Sequence, residues 1–221
     1  MTGYALAGGA PSSRPGSPVH PAAAFSQRWR MELEAMAGAL GVNLGGTLKF
    51  AVHAERRIAT AVSHDDGERI AEQVGRLGSE WASRGTASFG LLRHGVYRPA
   101  EQQLQKIARD LAVAGVDGAL LDAFRDAPRV LRQLELSGMP CGESDLGKVR
   151  LAFERLGADL RHAASFDLTR RPGRTPAILA ALEGAARTLD QAMQRFQQVE
   201  AVRTSLVHER ESLAPANVIP G

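Results

Sequence analysis

The apolar residues of this chain are of the kind that builds helices. Alanine (36 residues) and leucine (25) dominate them, against 14 valines, 5 isoleucines and an aromatic content of 5%. Alanine and leucine lead the helix-propensity scale, whereas strands draw on β-branched and aromatic side chains. An all-α fold follows before any periodicity is read. At 44% hydrophobic and 23% charged, the 221 residues are enough to bury a core in one compact domain with tails, or in two small domains at most.

Periodicity then places the helices. Trp29, Leu33, Met36 and Leu40 recur at i, i+4, i+7 and i+11, predicting a helix over about 26–40 that Gly41 stops. Leu44, Leu48, Val52, Ile58 and Val62 form the stripe of a second helix. Asp65 and Glu68 read as a capping pair for a third, where Ile70, Val74, Leu77 and Trp81 repeat the spacing of the first. Both tryptophans are therefore expected in the core. Residues 85–98, with three glycines and no helical period, read as a loop and as a boundary between subdomains. Pro99 opens a fourth helix carrying Leu104, Ile107 and Leu111, which Gly115 ends. Two short helices are expected around 117–125 and 127–136, split at Pro128. After a Gly/Pro-rich stretch, Ser144 caps a helix with Leu146, Val149, Phe153, Leu156 and Leu160 inward.

The closing helix, about 176–211, is the longest. Leu182, Leu189 and Phe196 keep a seven-residue step, and Ile178, Ala185, Ala192, Val199 and Leu206 keep a second, a coiled-coil-like seam. The expected architecture is an all-α bundle of about seven or eight helices over residues 25–212. Before it lies an N-terminal tail (1–24), where four Pro and four Gly within the first 21 residues predict disorder. After it comes a flexible C-terminal tail (213–221).

Several function classes lose support at this level. A formal charge of +3 is mild for a nucleic-acid binder, and DNA-associated regulation stands as an alternative only. The fourth helix and the one after it resemble a helix-turn-helix in outline, but Asp117 and Asp122 would face phosphate. The six histidines form no i, i+3 or i+4 pair, so no helical metal motif is present and no cofactor is expected. The single cysteine, Cys141, excludes an intramolecular disulfide; preceding a helix, it leaves an enzyme using that thiol as a further alternative. The 24 arginines against 3 lysines suggest a GC-rich bacterial gene. No apolar run is long enough for a transmembrane helix, and the first residues lack the pattern of a cleavable secretory signal. The expected location is the cytoplasm, or outside the cell by another export route.

Two surfaces stand out. Arg170, Arg171 and Arg174 precede a helix N-terminus and are a candidate anion site. Past Phe196 the closing helix turns polar, with Arg203 on the seam, so its end is expected to project from the body. There Val199, Val202, Leu206 and Val207 would offer an apolar strip to a protein partner or a second copy. On that reading, removing residues 200–221 leaves the fold intact. The expected function is a non-enzymatic helical protein-binding or adaptor protein, with an exported effector or secretion accessory as its narrower form.

Overall fold

The computed structural model describes residues 19–82, 87–136, 143–170 and 172–213, without the side chains of 79–82, 87–89, 136 and 143–146. The expected disorder of the first residues lies outside this range. The first helix, α1 (Pro21–Leu40), begins within the stretch expected as a tail to residue 24. His20 caps it, its Nδ1 accepting from the Ala22 N–H at 3.2 Å, and the proline ring suits the first turn. The chain is all-α, with no strand among the described residues.

Helix ends follow local chemistry. At the end of α1, Gly41 takes φ 65°, and the Val42 N–H reaches back to the Ala37 carbonyl at 2.8 Å. That six-to-one bond is the Schellman stop expected of a glycine there. The end of α2 (Gly45–Ser63) closes in the same way, with the Asp66 N–H on the Ala61 carbonyl at 2.9 Å. Here the left-handed residue is Asp65, at φ 54°. The expected cap is thus displaced by one residue. Asp66 caps α3 (Gly67–Ala82), its Oδ1 accepting from the Arg69 N–H at 3.1 Å, while Asp65 belongs to the end of α2.

The segment expected as a loop at 85–98 is helical from Ala87 onward. α4 (Ala87–Leu92) passes through a π-helical turn, Arg93–Tyr97, into α5 (Arg98–Val113). Leu91, Leu92, Val96 and Tyr97 are buried in a core cluster continuous on both sides of it. Its glycines serve contact: a Cβ on Gly95 would stand 2.8 Å from Leu40 Cδ1, and one on Gly90 2.8 Å from Leu44 Cδ2. They let the α1–α2 corner rest on this segment's backbone. The two short helices expected after Gly115 are one, α6 (Ala119–Leu136), with Pro128 inside. Phe124, Ala127 and Leu131 are buried on one face across the proline, and that packing holds the helix through the lost hydrogen bond. α7 (Glu143–Arg170) and a short 3-10 turn (Pro172–Arg174) lead to α8 (Thr175–Leu213).

α8, with 39 residues, reaches about 58 Å. Its first half packs with α5 and α7, and α6 completes that four-helix group. Its second half packs with α1 and α3, with α2 behind them. The whole seam is inside. Ile178, Ala185, Leu189, Ala192, Phe196, Val199 and Leu206 are buried, and Leu182 packs half-buried beside them. The end of α8 does not project. Arg28 of α1 donates to Glu209 at 2.9 Å and to Ser205 at 3.0 Å, and the Arg210 side chain lies across Gly78 of α3.

Two stability predictions follow from this packing. Trp29 is fully buried on α1, so Trp29→Ala should cost about 3–5 kcal/mol in chemical denaturation; a change under about 1 kcal/mol contradicts its placement. The Trp81 side chain lies outside the described residues. Asp65→Gly should stabilise the chain by up to about 1 kcal/mol, since glycine adopts that left-handed φ without a Cβ penalty; a loss of stability contradicts the assignment.

Candidate functional site

The described residues place only some of the side chains singled out from sequence. Arg170 is exposed in the last turn of α7, and Arg171 lies outside the described residues. Arg174 leans on the turn between α5 and α6, where a Cβ on Gly115 would stand 2.7 Å from Nη2. The apolar strip of α8 is interior: Val199 and Leu206 are 0% and 2% exposed, and Val202 and Val207 are half-buried. Its premise, a projecting helix end, fails because α1 and α3 cover that stretch. Cys141 lies outside the described residues. The start of α6, which a helix-turn-helix would present to a groove, is closed off by α7: the buried Asp167 carboxylate accepts from the Leu120 N–H at 3.1 Å. No group of three His, Cys, Asp or Glu capable of holding a metal occurs among the described residues.

Where α8 crosses from one helix group to the other, the core contains charge. Glu200 and Arg203, 6% and 8% exposed, pair through Oε2 with Nη2 at 2.9 Å and Nε at 3.0 Å. The arginine that broke the apolar seam in the sequence is thus buried and partnered. Nearby, Arg93 Nε meets Glu135 at 2.9 Å, and Arg195 donates to the Gly95 carbonyl at 3.1 Å, a backbone acceptor in the π turn. The Tyr97 ring meets Phe153 edge-on at 6.5 Å. Its hydroxyl is buried without a hydrogen bond among the described residues, and burial first, then Glu200 and Glu135, push its pKa well above that of free tyrosine. The charges here are matched in pairs, which is the pattern of an internal brace.

Among the surface grooves of the described residues, two bear on function. One, of 630 Å³, lies where the start of α1, α3 and the end of α8 meet. Its walls are largely apolar, with Ala22, Ile70, Val74 and Leu213, and with Ala71 and Gly75 open to solvent. Arg210 edges it, half-buried and with no carboxylate partner among the described residues. The other, of 410 Å³, runs between α2 and α3 and has four arginines among its ten lining residues. Neither groove was anticipated from sequence, because each is assembled from helices distant along the chain or from residues that read as ordinary solvated faces.

No family model, no curated protein and no solved structure matches the chain. Among the described residues no helix is long and apolar enough to cross a membrane. Among the described residues, fold and surfaces define an all-α bundle with charge in its interior and, among its grooves, one apolar and one basic.

Two measurements test the internal charges. Arg203→Met strips the cation from a buried carboxylate and should cost about 3–5 kcal/mol, with Glu200→Gln added to it recovering part of the loss. Equal stability of Arg203→Met and the parent would show the pair to be solvated. For Tyr97 the sign runs toward alkali. Its folded pKa is raised, so nothing changes below the unfolded value near 10, and stability falls as pH rises above it. Tyr97→Phe should leave stability at neutral pH equal or higher and should blunt the alkaline loss; an unchanged alkaline profile would exclude Tyr97 as its source.

Proposed function

We propose that this chain is a non-enzymatic helical binding protein, of bacterial origin by its arginine-for-lysine usage, that captures a protein partner where α1, α3 and α8 meet. The observation that carries the reading is the 630 Å³ groove, with largely apolar walls and, at its edge, Arg210 and Glu211, of which the arginine makes no ion pair among the described residues. Concave apolar ground with few polar groups is where peptide segments dock, reading apolar side chains in the groove and charge at its rim. A Cβ on Gly75 would meet nothing within 4 Å, so a partner backbone can approach α3 closely there. Arg210 supplies the charge that a partner carboxylate would meet. The occupant this selects is a short apolar segment bearing an acidic residue. The C-terminal helix takes part in this reading through Arg210 and Leu213, at its last turn.

Peptides selected from a random display library on the immobilised full chain should combine two or more apolar side chains with a neighbouring carboxylate. Ala71→Arg places a bulky cation on an exposed position of the groove and should weaken such peptides about tenfold or more, with the melting temperature unchanged. Arg210→Glu should shift selection away from acidic peptides. Peptides indifferent to both substitutions would overturn the reading, as would concentration-dependent dimerisation of the parent that Ala71→Arg abolishes, since the groove would then hold a second copy.

A further inference from the structure

The groove between α2 and α3 has a chemistry independent of the apolar one. Arg56 and Arg57 on α2 face Arg69 and Arg76 on α3 across it. Two carboxylates also line it, and each is engaged: Asp66 pairs with Arg69 at 3.2 Å and Glu72 with Arg76 at 3.7 Å. Arg56 and Arg57 are exposed and have no carboxylate partner among the described residues, so the four arginines and two carboxylates leave an excess of two positive charges. The floor adds a second observation. Gln73 is only 7% exposed, lines the groove, and makes no hydrogen bond among the described residues. Its amide is not sealed from solvent, so it opens into the groove and can donate to a ligand there.

We propose that the α2–α3 groove binds a compact phosphate ester, its phosphate oxygens held by Arg56 and Arg57 and by the Gln73 amide on the floor. Guanidinium groups match phosphate geometry with paired donors, and the Gln73 NH2 adds a neutral one. Arg69 and Arg76, tethered by their own carboxylates, supply the surrounding positive potential without closing the groove. At 410 Å³ the space suits a small ligand. Its lining is almost wholly polar, with Ala61 the one apolar side chain and His64 the one ring, so the organic part of the ester is expected to be polar. The same phosphate chemistry is offered by a free metabolite and by a phospholipid headgroup.

Calorimetric titration of the full chain at low salt decides the matter, with inorganic pyrophosphate as the probe. Vesicles of phosphatidylcholine with and without phosphatidic acid, and a short DNA duplex, form the other arms. Pyrophosphate should bind, and Arg56→Gln with Arg57→Gln should weaken it at least about tenfold, the loss of two charge-assisted contacts. Gln73→Leu should weaken it several-fold without lowering the melting temperature. Arg129→Gln, which removes an exposed arginine on α6, should change nothing. Binding to the phosphatidic acid vesicles, lost in the same variants, would assign the site to a lipid headgroup; equal behaviour of both vesicle types would assign it to a free ester. The proposal is overturned if pyrophosphate does not bind, if Arg129→Gln weakens it as much as the paired substitution, or if the duplex binds through Arg56 and Arg57 while pyrophosphate does not.

Discussion

The fold depends on one continuous apolar seam along α8. Because it keeps a seven-residue step from Ile178 to Leu206, it presents the same face to α5 and α7 in its first half and to α1 and α3 in its second. A helix with such a stripe must bury it somewhere, and here it does so against two different groups of helices in succession. Alanines at 185 and 192 allow close approach near the middle, while Phe196, fully buried, fills space beyond them. The two groups of helices therefore share a core through α8, and the π turn beside its midpoint joins the same cluster.

That arrangement explains why charge is tolerated inside. A seam that changes partners has a crossing point at which neither helix group packs it fully with hydrocarbon. Glu200 and Arg203 occupy that stretch and pair through Glu200 Oε2, while Arg195 uses a carbonyl of the π turn. Replacing such a pair by hydrocarbon is often neutral or stabilising, so its contribution is better sought in fixing how α8 sits against its neighbours than in net stability. The surface grooves are consequences of the same geometry. The apolar one opens where the last turn of α8 meets α3 and the start of α1, and the basic one where α2 and α3 diverge.

Much of the architecture was legible because helix stripes and helix stops are local. Trp29, Leu33 and Leu40 on α1, the glycine stops at 41 and 115, and the seam of α8 all appear in the structure as their spacing predicts. The failures share a cause. Gly90 and Gly95 read as loop residues, but a missing Cβ also marks a place where another helix comes close, and only the packed α1–α2 corner distinguishes the two. Pro128 reads as a break, yet buried neighbours on both sides carry α6 through it. Arg203 reads as the start of an exposed stretch because its partner Glu200 looks, in sequence, like any surface acid. The arginine groove escaped for a related reason: Arg56 and Arg57 resemble a solvated face until α3 brings Arg69, Arg76 and Gln73 opposite them. Asp65 and Asp66 exchanged roles across a single residue, which is the usual reach of a helix-boundary assignment.

The distal half of α8 forms the core of the N-terminal helices. Amide hydrogen exchange on the chain lacking residues 200–221, followed through α1, α2 and α3, tests it most directly. Removing Arg203, Leu206 and the contacts of Glu209 and Arg210 should strip protection from those three helices and abolish a single cooperative melt. Protection of α1–α3 equal to that of the full chain, with a melting temperature within a few degrees of it, would contradict the account.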